Sequence, residues 1–115
     1  MVALGLRKPH LPFYFPEEFL ELYPETSEDD PRNPYVGDIP EIAWNNWAEL
    51  RFYGDCTPES LGVPDAGMIN VTIPIEKVRE LRRAYYAAVS YSDSELGRVI
   101  AEVEELGLAE TTIIV

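Results

Sequence analysis

The sole histidine of the chain, His10, stands in R-K-P-H-L-P-F at 7–13, two residues after Lys8 and between Pro9 and Pro12. Arg7, Lys8 and His10 are three of ten Lys, Arg and His side chains in a protein whose formal net charge is −12. The two prolines fix φ at their own positions and push the residues before them, Lys8 and Leu11, toward extended conformations. An imidazole on a stiffened backbone beside cations can hold an anionic group or protonate a leaving oxygen. The same residues also fit a solvent-exposed loop whose histidine does no chemistry.

Other chemistry-bearing residues are less coherent. Cys56 opens C-T-P-E-S, and C-x-P also begins a nucleophile signature, but its neighbours Asp55 and Glu59 disfavour a thiolate, so a structural or incidental cysteine is the simpler reading. Asn70-Val71-Thr72 has the form of a glycosylation acceptor, a triplet that also arises by chance. Glu28, Asp29 and Asp30 lack the spaced oxygen ligands and glycine of a calcium loop and read as a solvated turn. Asp93 lies near an apolar stripe and reads as a partly buried hydrogen-bonding residue, while Tyr85, Tyr86 and Tyr91 read as packing residues. No glycine-rich phosphate cradle, zinc spacing or nucleic-acid motif is present.

These residues need elements to position them. At 115 residues, with 46% hydrophobic and 11% aromatic side chains, the composition suffices for one packed domain. Residues 1–74 hold thirteen acids and four Lys/Arg, and residues 75–115 eight acids and five Lys/Arg. This excess of acid opposes nucleic acid or an anionic membrane as partner, since both repel it on approach. One cysteine excludes an internal disulfide. No apolar run approaches the roughly 20 residues that cross a bilayer, and no signal-peptide pattern appears.

All ten prolines fall in the first 74 residues. Residues 1–23 read as a strand over Val2–Leu6, the His10 loop and a short helix opened by Pro16-Glu17-Glu18, where acids suit the helix dipole. A loop that follows a strand's carboxyl end is where open α/β sheets place ligands. Residues 24–73 are proline-rich and without period, which suggests an excursion over a larger body. Over 74–107, Val78, Leu81, Tyr85, Val89, Leu96, Ile100 and Val103 recur at helical steps, with Pro74 before them and Gly107 at the expected cap. Thr111–Val115 is β-branched and reads as a terminal strand. The expected class is therefore α/β: a long covering helix, an irregular loop region, and two strands of a sheet whose other members lie elsewhere. The chain is expected to be an interior segment of a larger protein.

Three stretches, G-L-R-K-P-H-L-P-F at 5–13, R-A-Y-Y-A-A-V-S-Y-S-D-S-E-L-G-R-V at 83–99 and L-G-L-A-E-T-T-I-I-V at 106–115, together with P-E-E-F-L-E-L-Y at 16–23 and A-W-N-N-W at 43–47, carry a resemblance. In this order they resemble the sulfatase family of the alkaline-phosphatase superfamily, most closely its iduronate-2-sulfatase-like branch. The resemblance implies a sulfuric ester hydrolase acting on sulfated sugars such as glycosaminoglycan-type 2-O-sulfate. It places His10 in the active site against the sulfate group, matches Lys8 to the motif's lysine as a substrate-binding residue, and gives Arg7 no role.

The resemblance also implies a formylglycine nucleophile made from cysteine or serine in C/S-x-P-S-R, and a bound calcium ion. C-T-P-E-S at Cys56 lacks the Ser-Arg and follows the K-P-H loop, whereas the family's signature precedes it. The family's calcium ligands lie near its N-terminus and just beyond the T-I-I-V strand, so this fragment is expected to bind neither cofactor and to hydrolyse nothing alone. The remainder of the sulfatase chain is then the expected partner, with a lysosomal, periplasmic or secreted parent. Two alternatives stay open: a phosphatase or phosphodiesterase of the same superfamily, distinguished by its nucleophile, and a non-catalytic acidic interaction module, distinguished by cooperative folding in isolation.

Overall fold

The computed structural model describes residues 2–24, 30–32, 37–44, 49–50, 53, 57–63, 69 and 71–115. Cys56, Asn70, Glu28, Asp29 and the Asn45–Trp47 part of A-W-N-N-W lie outside the described residues. The chain divides into two compact units: Met1–Tyr23 with Tyr85–Val115, and Pro24–Ala84.

Two α-helices organise the described residues. Helix α1, Glu17–Glu21, follows an extended Pro16 and carries Glu17 and Glu18 in its first turn, next to amides that have no intrahelical partner. Helix α2, Ile75–Glu105, is 31 residues long, about 46 Å at the standard rise. Its first ten residues belong to the second unit and the rest to the first. The Pro74 carbonyl accepts hydrogen bonds from the Lys77 and Val78 amides at 2.9 and 3.1 Å and so starts the helical ladder.

At its other end, the Leu108 amide donates to Val103 O at 3.0 Å and the Gly107 amide to Glu104 O at 2.9 Å. That pair of bonds requires a left-handed residue between them, which Gly107 supplies at φ 67°. Gly97 does not interrupt the helix.

In the first unit the core of α2 is Ala87 and Ala88, both fully buried. Small side chains there let the segment 13–23 approach closely, and rings close the gap on either side. Phe19 packs on Tyr91 with centroids 5.4 Å apart, and Tyr23 on Tyr86 at 5.6 Å. The hydroxyls of Tyr23 and Ser90 share a 2.5 Å hydrogen bond. Asp93, expected to be partly buried, is exposed.

Outside α2, the described residues of the second unit form turns. Over 57–63 the Leu61 amide donates to Thr57 O at 2.9 Å and the Val63 amide to Pro58 O at 2.9 Å, which buries Leu61 and Val63. Thr57 Oγ1 accepts from the Ser60 amide at 3.1 Å. Gly62 closes this turn at φ 68°, and a Cβ placed there would stand 3.1 Å from Cγ of Pro74. A short 3-10 turn spans Glu41–Ala43.

The expected sheet requires correction at the level of this chain. Among the described residues there is no strand: 2–7 carry no regular element, and Thr111 instead ends a 3-10 turn, Ala109–Thr111. A strand exists only when its backbone groups pair with a neighbour. Here both segments leave their apolar side chains open, with Val2 95% and Ile113 89% exposed.

Candidate active site

The segment 7–14 turns back on itself around His10. The His10 amide donates to Arg7 O at 3.0 Å, closing a four-residue turn, and the Tyr14 amide donates to Pro12 O at 2.9 Å. Both X-Pro peptides of the segment, Lys8–Pro9 and Leu11–Pro12, are cis. The Lys8 ammonium donates to the carbonyl of Pro12, and it also stands 5.6 Å from the centroid of the Tyr14 ring, within range of a cation–π attraction. Lys8 is partly buried and His10 exposed. The two residues expected to meet substrate thus share one turn, with the Lys8 cation directed at the loop's own backbone.

The imidazole is oriented by its neighbour: His10 Nδ1 lies 2.8 Å from Leu11 O. A carbonyl oxygen only accepts, so this contact assigns the hydrogen to Nδ1. A sulfate oxygen also only accepts. For His10 to contact one through Nε2, that nitrogen must carry a proton as well, and the ring is then an imidazolium. The Nδ1 contact limits ring rotation.

Just after this turn, the Phe13 ring meets Tyr85 of α2 edge-on, with centroids 6.1 Å apart and planes at 80°. Tyr85 continues to Tyr86 at 6.4 Å, and Tyr86 to Tyr23 at 5.6 Å. The aromatic positions on the helix were visible in the sequence as Y-Y and Y-S. Their partners Phe13, Phe19 and Tyr23 were not, because nothing local in a sequence says which ring a helical tyrosine will meet.

A second feature went unrecognised in the sequence. Asp30, read as part of a solvated turn, accepts two hydrogen bonds from Arg79, at 2.6 Å from Nε and 2.8 Å from Nη2. The Arg79 guanidinium holds the Asp30 carboxyl below the usual carboxylate range, and the carboxylate in turn raises Arg79. Forty-nine residues separate the partners, and no spacing rule joins them.

Among the described residues, no group of three or more His, Cys, Asp and Glu side chains could hold a metal ion. No step of chemistry is routed through a metal ion here. None of the helices among the described residues is long and apolar enough to cross a membrane.

Comparison with known proteins gives concordant matches. The family model described as Sulfatase matches residues 1–115. The sequence is 37% identical to an iduronate 2-sulfatase from Homo sapiens over 114 residues, 98% of this chain and 20% of that relative. The values for an iduronate 2-sulfatase from Mus musculus are the same. A sulfatase from Formosa agariphila is 34% identical over 117 residues, covering 99% of this chain and 20% of the relative. The chain thus spans about a fifth of the length of the curated relatives it matches. No solved structure matches it.

Proposed function

Because the chain belongs to the sulfatase family, whose fold class is α/β, we propose that it is an interior part of a sulfuric ester hydrolase and carries the turn that presents His10 to the sulfate group. The observation that carries this reading is the coincidence of a match over residues 1–115 with a histidine held on a doubly fastened turn. His10 stabilises the negative charge of the bound sulfate or passes a proton to the leaving oxygen. The Lys8 cation, a short distance along the same turn, adds to the field felt by the anion.

The iduronate 2-sulfatase relatives support sulfated sugars of the glycosaminoglycan 2-O-sulfate type as the substrate class. The formylglycine and calcium ion that the resemblance implies would be held by residues of the remainder of the sulfatase chain, where they would supply the nucleophile and charge neutralisation. Val2–Leu6 and Thr111–Val115 pair there as strands, which accounts for their open apolar side chains. The fragment alone is inactive.

The test is kinetic, on the full-length protein that carries this chain, with a small aryl sulfate and a 2-O-sulfated uronic acid disaccharide as substrates. His10→Ala is expected to lower kcat/KM by about two to three orders of magnitude, the usual effect of removing a positioned acid or an oxyanion-stabilising group. An unchanged kcat/KM in a folded variant overturns the reading.

A further inference from the structure

We propose that the edge-to-face contact between Phe13 and Tyr85 is a positioning contact for His10, so that helix α2 sets where the imidazole meets the sulfate group. The inference rests on the reading of His10 given above and extends it to Phe13 and Tyr85 as residues that act through the turn.

The turn that bears His10 is short and fastened on both sides. Before and across it, the Lys8 ammonium bonds Pro12 O and lies by the Tyr14 ring. These contacts are internal: they fix the shape of the turn but not its place on the rest of the unit. Phe13, three residues after His10, ties the turn to α2 through Tyr85, with the rings at 6.1 Å and 80°. Tyr85 is itself continued by Tyr86, Tyr23 and the Tyr23–Ser90 hydrogen bond. A row of rings therefore runs from the active-site turn along α2, beside the fully buried Ala87 and Ala88.

Nearly perpendicular rings attract through opposed edge and face charges, which gives the contact a preferred geometry that an aliphatic side chain of similar size does not reproduce. Replacing either ring should leave much of the apolar packing in place while freeing the turn to shift. A displacement of about 1 Å is enough to degrade a preorganised contact.

The experiment uses the full-length protein, with inorganic sulfate as the binding probe and an aryl sulfate as substrate. Phe13→Leu and Tyr85→Leu are each expected to raise the inhibition constant of inorganic sulfate and the KM of the ester, and to lower kcat/KM, by roughly three- to tenfold, the size of such a ring pair's coupling. Tyr85→Phe, which keeps the ring, should match the wild type in all three. The double leucine variant should be little worse than either single one, since both remove the same contact. Phe19→Leu removes a comparable ring pair with Tyr91 and should lower the melting temperature while leaving the sulfate inhibition constant unchanged. If Phe13→Leu does not fold, Phe13→Met gives the same reading.

Sulfate inhibition unchanged in the Phe13 and Tyr85 variants, equal changes in Phe19→Leu, or failure of Tyr85→Phe to match the wild type each overturn the proposal. His10→Gln separates this from the wider reading. If it weakens sulfate binding while the Phe13 and Tyr85 variants do not, only the positioning role fails. If His10→Gln changes nothing, the sulfate role of His10 fails and the positioning role with it.

Discussion

The two units are held by opposite kinds of contact. Around His10 the fastenings are rings, a hydroxyl pair and a backbone-directed ammonium, with Ala87 and Ala88 buried behind them. In Pro24–Ala84 the fastenings among the described residues include a hydrogen-bonded turn over 57–63, its glycine against Pro74, and the ion pairs Asp30–Arg79 and Lys77–Glu80. The ring and hydroxyl contacts of the first set carry no formal charge and so are nearly indifferent to pH and salt, the Lys8 ammonium being the charged member. The second includes a partly exposed ion pair, which salt screens and acid removes. The His10 unit is thus fastened largely by ring packing, while the described part of Pro24–Ala84 is fastened by local turns and ion pairs.

The contrast is sharpest where a substitution strikes one unit alone, in the full-length protein. Ala88→Leu places three extra carbons where nothing is exposed and is expected to cost about 1–3 kcal/mol of stability by overpacking, read as a fall in melting temperature. A neutral result would show that the helix does not pack tightly at Ala88.

Gly62→Ala should cost about 1–2 kcal/mol, because alanine is strained at φ 68° and its Cβ meets the Pro74 ring at 3.1 Å. Gly107→Ala has almost the same φ, 67°, with nothing within 4 Å of the added carbon. It should cost less, and denaturant melts of the pair measure the contribution of the Pro74 contact by difference. Equal losses would mean that Pro74 moves aside freely.

Tyr23→Phe removes the 2.5 Å hydroxyl pair with Ser90 but keeps the ring on Tyr86, so a loss of about 1 kcal/mol is expected. Hydrogen exchange of the α1 and α2 amides would locate that loss in the first unit.

Asp30→Asn should have the smallest effect, and only it should depend on pH. The native carboxyl titrates below its ordinary value because Arg79 hydrogen-bonds the ionised form. Its contribution is therefore present above about pH 4, where the unfolded carboxyl is ionised, and fades as pH falls toward the lower native value. Melting curves of wild type and Asp30→Asn should differ slightly at pH 7 in low salt and converge in acid or in high salt. A difference that persists in acid would assign the effect to packing instead.

Legibility in the sequence follows the range of the forces involved. Helix α2 was readable because its apolar period and its glycine cap are local, and Gly107 does take the left-handed conformation that its position called for. The His10 turn was readable as a stiffened, cationic stretch, and its place in the family from three ordered motifs. Its internal bonds were not, since Lys8 has many rotamers and only the folded turn brings Pro12 O within its reach. Val2–Leu6 and Thr111–Val115 have strand-like composition, yet a strand is a property of a pair of segments and neither has a partner among the described residues. Asp30 and Arg79, 49 positions apart, meet only because the intervening chain brings them together, a distance over which composition carries no signal.

The central claim, that the His10 imidazole faces a sulfate group, is tested most directly by a crystal structure of the full-length protein with a sulfate ester or inorganic sulfate bound. Nε2 of His10 is expected within hydrogen-bonding distance of a sulfate oxygen while Nδ1 keeps its contact with the Leu11 carbonyl. A ring turned into bulk water, with the oxyanion bound elsewhere, would contradict the account.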